Sequence, residues 1–315
     1  MIEDFEKDTY KKGYLKVSSV HSLYYECYGN PTGKPVLFLH GGPGAGFSDA
    51  DKRFFNPSIF NVILFDQRGA SHSQPFGNIE ENTTQDLVND INRLLDFLNI
   101  GKVLLFGGSW GSTLALVYAI QHAERVTEML LRGIFLGNKA SIDYFINGGV
   151  KEQFPKVWAR FENLVPQNER DNIPTYYLNK MLSKDEEVSN RYAFEWAYYE
   201  MSIYKQGVTS DEEIKKLVDN MPFKSLAIME AHYCANYCFI PDDYILNNIK
   251  AIENIKTVIV QGQHDVICPP IFAEQLHQAF GQQSTLHLVN AGHASSEPAI
   301  EAVLKREVEN FSGER

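Results

Sequence analysis

The sequence predicts a mostly parallel, doubly wound α/β sheet with a block of helices inserted before the sheet resumes. Three observations carry this. Short apolar runs, VLFL at 36–39 and VILF at 62–65, are each followed at once by turn residues, the pattern of strands buried on both faces. Strand-like and helix-like segments alternate through residues 1–137, as in βαβ architectures. From 138 to 244 the chain is rich in Tyr, Trp, Phe and charged residues, and strand-like runs then return at 256–261 (KTVIVQ) and 284–289 (STLHLV).

Residues 14–17 and 22–27 read as the first two strands, followed by 36–39 and 62–65. Asn82, Thr83 and Thr84 offer N-caps for a helix over 86–98, with Leu87, Ile91, Leu94, Leu95 and Leu98 as its apolar stripe. A buried strand at 103–106 leads through Gly-Gly-Ser-Trp-Gly into a helical pattern at 113–122, and 126–131 gives one more strand. The expected division is a sheet domain made of 1–137 and 245–315, with 138–244 as a helical cap. Such a cap would lie over the carboxyl ends of the strands, the edge where open α/β sheets bind ligands.

The 315 residues include 29 Lys plus Arg against 40 Asp plus Glu, a formal charge of −11. That balance argues against a nucleic-acid partner or a polybasic membrane contact, and favours the approach of cationic ligands. At 44% hydrophobic and 12% aromatic the chain can bury a large core. Four cysteines, Cys27, Cys234, Cys238 and Cys268, are too few and too scattered for a disulfide framework. Cys234 and Cys238 have helical i, i+4 spacing, yet no further Cys or His pair completes a zinc site, so no metal or cofactor is expected. The first residues mix acid and base without an apolar core, and no run approaches the length of a membrane span. A cytoplasmic protein is the expectation; oligomeric state is not legible.

Gly107-Gly108-Ser109-Trp110-Gly111 fits G-x-S-x-G between a strand and a helix, a turn tight enough to push a serine hydroxyl into the open. A serine nucleophile needs a base, and the base needs an orienter. Asp265 follows the strand at 256–261, and His293 follows the strand at 284–289, so both fall on the sheet edge that carries Ser109. Their chain order, Ser then acid then His, is the order this turn uses. His264 is the nearest rival, while His21, His72, His122, His232 and His287 lack the placement. An oxyanion would need two preorganised donors. The backbone N–H of Trp110 is one candidate, and that of Gly42, in His40-Gly41-Gly42-Pro43-Gly44, is the other. His40 reads as a support for that loop, and Asp66 with Arg68 as a structural turn. Cys268, three residues beyond Asp265, is expected either beside the substrate pocket or as a packed thiol.

Two glutamates stand out in the helical block. Tyr192, Trp196 and Tyr199 form one aromatic helix face with Glu200 beside it; Leu226, Met229 and Tyr233 form another, with Glu230 inside it. By residue type alone they are either edge carboxylates in water or acids facing a pocket.

HGGPG (40–44), DQRG (66–69), GGSWGSTLAL (107–116), LRGIF (131–135), DVICPP (265–270) and the terminal GH…SEP together resemble the prolyl aminopeptidases, or proline iminopeptidases, of the α/β-hydrolase fold. The resemblance covers nearly the whole chain. It implies catalytic Ser109, Asp265 and His293, and a substrate consisting of peptides with a free N-terminal proline. It also implies that Glu200 and Glu230, the latter within Glu-Ala-His-Tyr, grip the substrate's amino terminus. Phe135 would be either a wall of the pyrrolidine pocket or an ordinary core residue. The competing expectations are an esterase, amidase or epoxide-type hydrolase without an amine requirement, and an inactive fold that only binds ligand.

Overall fold

The computed structural model describes residues 5–207 and 210–313. Its centre is an eight-stranded sheet: β1 (Thr9–Lys16), β2 (Ser22–Gly29), β3 (Lys34–Leu39), β4 (Phe60–Phe65), β5 (Val103–Gly108), β6 (Val126–Arg132), β7 (Lys256–Gly262) and β8 (Ser284–Val289), in the order β1-β2-β4-β3-β5-β6-β7-β8. β1–β2 and β2–β4 are antiparallel and every other pair is parallel. Between the strands come α1 (Thr84–Phe97), α2 (Trp110–Gln121), α3 (Lys139–Ile146), α4 (Pro155–Glu162), α5 (Ile173–Met181), α6 (Glu186–Met201), α7 (Asp211–Asp219), α8 (Phe223–Ala235), α9 (Tyr244–Asn247), α10 (Pro270–Phe280) and α11 (Pro298–Phe311).

The apolar runs lie in the middle of the sheet because both faces are covered. Alternate residues feed two core layers. Leu37, Ile63, Leu105 and Ile259 pack under α1, α2 and α10, whereas Val36, Val62, Leu104 and Val258 pack under Ile300, Leu304 and Val308 of α11. Each such side chain contributes about 1.5–3 kcal/mol on burial. Thr83 caps α1 by a reciprocal exchange with Asp86, and the predicted stripe faces inward.

Three local expectations shift. β1 begins at Thr9, because an edge strand carrying Lys11 and Lys12 on its exposed positions lacks an apolar signature. α2 begins at Trp110, directly after Ser109, although Gly111 and Ser112 are weak helix formers. α8 ends at Ala235, and Cys238 has φ 54°, so the spacing of Cys234 and Cys238 is not one helical turn.

Register sets the strand ends level: Leu39 pairs with Gly107, Gly108 with Arg132, Arg132 with Val260, and Gly262 with Val289. The loops leaving these strands therefore open on one edge. Helices α3–α9 lie between β6 and β7 in the chain, and α8 docks on that edge. Ser225 Oγ donates to Gly44 O (2.8 Å), Tyr233 Oη donates to Asn82 Oδ1 (2.9 Å), and His232 Nε2 meets Asn82 O (2.9 Å). Phe161 stacks on Tyr177 and Tyr199 with centroids 4.6 and 4.3 Å away, which locks the inner face of α6. Among the described residues no helix is long and apolar enough to cross a membrane.

Candidate active site

Ser109 joins β5 to α2 at φ 56°, ψ −128°, a conformation that costs an L-residue free energy and that its surroundings must impose. They do so by contact. A Cβ at Gly111 would overlap Leu39 O and one at Gly107 would overlap Gly111 O, so only glycine lets helix and strands approach this closely. Ser109 N–H donates to Arg132 O at 2.9 Å, tying the turn to the neighbouring strand.

Asp265 sits at the mouth of β7 with both oxygens engaged. Oδ1 accepts from the backbone of Ile267 (3.0 Å) and Cys268 (2.8 Å); Oδ2 accepts from Gln261 Nε2 (3.0 Å) and meets His293 Nδ1 at 2.7 Å. The contact with Asp265 makes Nδ1 the protonated nitrogen and leaves Nε2 as the acceptor. His293 is held further by its N–H on Tyr204 O (3.2 Å) and by Arg132 Nη1 on its carbonyl (2.7 Å). A Cβ at Gly133 would fall 2.9 Å from His293 Cε1, so that glycine clears space for the ring. His264 is exposed and pairs with Asn290 Oδ1 at 2.9 Å, away from Ser109.

The oxyanion candidates meet at Ser109. Trp110 is the first residue of α2, where backbone N–H groups have no partner inside the helix. Gly42 lines the same cavities as Ser109. His40 is buried, with Nδ1 on Gly41 O (2.8 Å) and Nε2 accepting from Gln67 N–H (2.9 Å), and burial holds its pKa below the usual imidazole value. Both nitrogens are committed to the loop. Asp66 accepts from the backbone of Phe47 and His72, each at 2.9 Å, and Arg68 grips Asp90 at 2.6 and 2.8 Å, so both serve the turn.

Two cavities flank Ser109. The larger, about 400 Å³, is lined by Gly42, Arg132, Glu200, Tyr204 and His293. The smaller is a tight apolar recess between Trp110, Phe135, Phe145, Glu230 and Cys268. Phe135 thus belongs at once to the core and to the recess wall. Cys268 lies beside the Ser109 hydroxyl, and burial pushes its thiol pKa well up. Cys234 and Cys238 line the same recess.

Glu200 of α6 and Glu230 of α8 are only 6% and 5% exposed and lie close enough to influence each other's ionisation. Glu230 Oε2 accepts from Trp196 Nε1 at 2.7 Å, while Glu200 Oε2 is buried without a partner. Burial raises both pKa values, Glu200 to about 7 and Glu230 well above its ordinary range, the latter also through the charge of Glu200. Both carboxyls thus hold a proton more readily than free ones, Glu230 more so than Glu200. A buried, half-satisfied carboxylate lining the same cavity as the half-buried Ser109 is equipped to receive a cationic N–H.

Sequence reasoning missed several supporting residues. Gln261 bridges Asp265 to Cys268 O (2.8 Å) and accepts Ile134 N–H (2.9 Å); Gln67 bridges His40 O (3.0 Å) and Trp110 Nε1 (2.8 Å). The available signal was a polar side chain at the end of a buried strand, or next to one.

A family model for the α/β hydrolase fold matches residues 34–299. The proline iminopeptidase of Arabidopsis thaliana is 44% identical over 300 residues, covering 94% of this chain and 78% of that protein. The proline iminopeptidase of Neisseria gonorrhoeae is 42% identical over 312 residues, covering 97% of each. Among solved structures, a proline iminopeptidase-related protein of Thermus thermophilus superposes with a TM-score of 0.63 at 18% identity, over 96% of this chain and 97% of that one. An esterase of Exiguobacterium antarcticum superposes with a TM-score of 0.66 at 17% identity, over 96% and 100%. At such identities these two report the fold.

Proposed function

The chain belongs to the proline iminopeptidases of the α/β-hydrolase fold, prolyl aminopeptidases by activity, and from that premise we propose that it cleaves peptides at a free N-terminal proline through Ser109, His293 and Asp265. The observation that carries this reading is the buried Glu200–Glu230 pair beside Ser109, with one carboxylate oxygen still lacking a partner. A protonated pyrrolidine nitrogen has two N–H donors, one for each glutamate. Its ring would fill the apolar recess against Phe135 and Cys268, and the departing peptide would leave through the larger cavity. Residues 138–244 act as the cap, closing the space beyond the nitrogen so that no longer chain can thread past it.

His293 Nε2 takes the proton of Ser109 as Oγ attacks the prolyl carbonyl. The N–H groups of Gly42 and Trp110 receive the oxyanion, and Asp265 orients and stabilises the imidazolium. The imidazolium then protonates the leaving amine, and a water activated by His293 hydrolyses the prolyl-enzyme. All four cysteines are free thiols, which suits a reducing cytoplasm and cytoplasmic peptides as substrates. A serine-directed phosphonate tests the nucleophile: it should add its mass to the peptide bearing Ser109, abolish activity, and leave Ser109→Ala unlabelled. Labelling of another serine with loss of activity would overturn the assignment.

A further inference from the structure

Gln67 lies in the loop after β4, is 1% exposed, and lines neither cavity beside Ser109. Its side-chain amide nevertheless touches both segments that carry the oxyanion candidates. Nε2 donates to His40 O at 3.0 Å, and Oε1 accepts from the indole Nε1 of Trp110 at 2.8 Å. The backbone N–H of Gln67 adds a third tie, donating to His40 Nε2 at 2.9 Å. That bond makes Nε2 the acceptor, so His40 Nδ1 bears the proton and donates to Gly41 O at 2.8 Å. The loop leading to Gly42 is thus fastened to Gln67, and the residue after Ser109 is fastened to the opposite end of the same planar amide. No rotatable bond lies between the amide's donor and acceptor atoms.

We propose that Gln67 is a positioning residue that sets the separation of the Gly42 and Trp110 backbone donors, and so tunes transition-state stabilisation without touching substrate. The proposal rests on those two N–H groups forming the oxyanion hole. Its physical content is selectivity. Donor separation matters where negative charge develops on the carbonyl oxygen, whereas the amine is held by Glu200 and Glu230 on other helices. Loss of the amide should therefore lower kcat and leave KM nearly unchanged.

The test compares two ligands of the intact enzyme. L-Prolinol carries the amine and ring but no electrophile. The boronic-acid analogue of proline accepts Ser109 Oγ on boron while the hydroxyl proton passes to His293, giving a tetrahedral anion that fills the oxyanion hole. Gln67→Met, similar in length and without the amide, should weaken the boronate about ten- to a hundredfold and prolinol less than about twofold, short of the hundred- to thousandfold cost of deleting a donor. If Gln67→Met does not fold, Gln67→Leu, which also lacks the amide and likewise lies outside both cavities, should show the same selective loss. Wild-type boronate binding no tighter than prolinol would overturn the oxyanion hole itself, and the proposal with it. Tight wild-type boronate binding that survives either variant would overturn the role of Gln67 alone. Equal weakening of both ligands would reduce Gln67 to a support of the fold and overturn the proposal likewise.

Discussion

Replacing Glu200 by glutamine should remove most of the preference for a free prolyl amine. Its Oε2 is the buried carboxylate oxygen without a partner, and burial raises its pKa less than that of Glu230, so it is the member of the pair that ionises more readily. A prolinium nitrogen brought into this space without Glu200 is a buried cation missing its counter-charge. Breaking a buried pair in this way costs about 3–5 kcal/mol, or roughly a hundred- to several thousandfold in kcat/KM. Glu230→Gln is a milder change. An amide can still accept from Trp196 Nε1 and donate to Glu200, so what is lost is one hydrogen bond to a charged group, about 1.5–3 kcal/mol or roughly ten- to a hundredfold. The assay is release of arylamine from Pro-arylamide, beside hydrolysis of a small neutral ester that needs only Ser109 and His293. Glu200→Gln should lose the first and retain the second. Parallel loss of both would mean that the glutamate supports the fold, and retention of both would leave it without a role in amine recognition.

Glu200 should also shape stability. Its pKa rises from the ordinary 4.5 to about 7 on folding, so the unfolded chain ionises first, and stability falls as pH climbs between those values. Glu200→Gln should therefore match the parent below pH 4.5 and exceed it above pH 7, by on the order of 3 kcal/mol in urea denaturation; a constant gap at all pH values would contradict this. Gly133→Ala puts a methyl 2.9 Å from His293 Cε1 at φ +56°. It should cost about 1–2 kcal/mol of stability and displace the base, lowering kcat well beyond what the stability loss explains; full activity would show that His293 tolerates the shift. Cys268 flanks the Ser109 hydroxyl, so a mercurial should inhibit, substrate should protect, and Cys268→Ser should be active and less sensitive. Cys234 and Cys238 share the recess, so residual sensitivity in Cys268→Ser should vanish when they too are replaced; inhibition persisting in that triple variant would place the reactive thiol outside the recess.

The central strands β3, β4 and β5 were legible because each carries an apolar run buried on both faces, and the order of segments in the chain already put Ser109, Asp265 and His293 on loops at one edge. β1 was legible only in its last residues, since its exposed lysines follow from being an edge strand. Helical stripes placed Glu200 and Glu230 near apolar faces, but not against each other. That contact depends on α6 and α8 meeting, which no local periodicity encodes. Gln67, Gln261 and Arg132 were invisible as supports for a related reason. Each has a partner far away in sequence, His40 O and Trp110 Nε1 for Gln67, Ile134 N–H for Gln261 and His293 O for Arg132, so their value exists only once the sheet has closed. Gly133 is the same kind of case: an unremarkable glycine in LRGIF until His293 arrives beside it.

The central claim is that the protein reads the amino terminus of its substrate with a buried carboxylate pair and cleaves the next carbonyl with Ser109. A matched series of Pro-, Ala-, Leu- and Lys-arylamides, each with a free and an acetylated nitrogen, tests it most directly through kcat/KM. The account predicts rapid release from free Pro-arylamide, slower release from the other free amines, and a loss of at least about a hundredfold on acetylation, the lower bound for leaving the pair unmatched. Comparable rates for free and acetylated Pro-arylamide would contradict it, and would make the chain a hydrolase that does not read the amine.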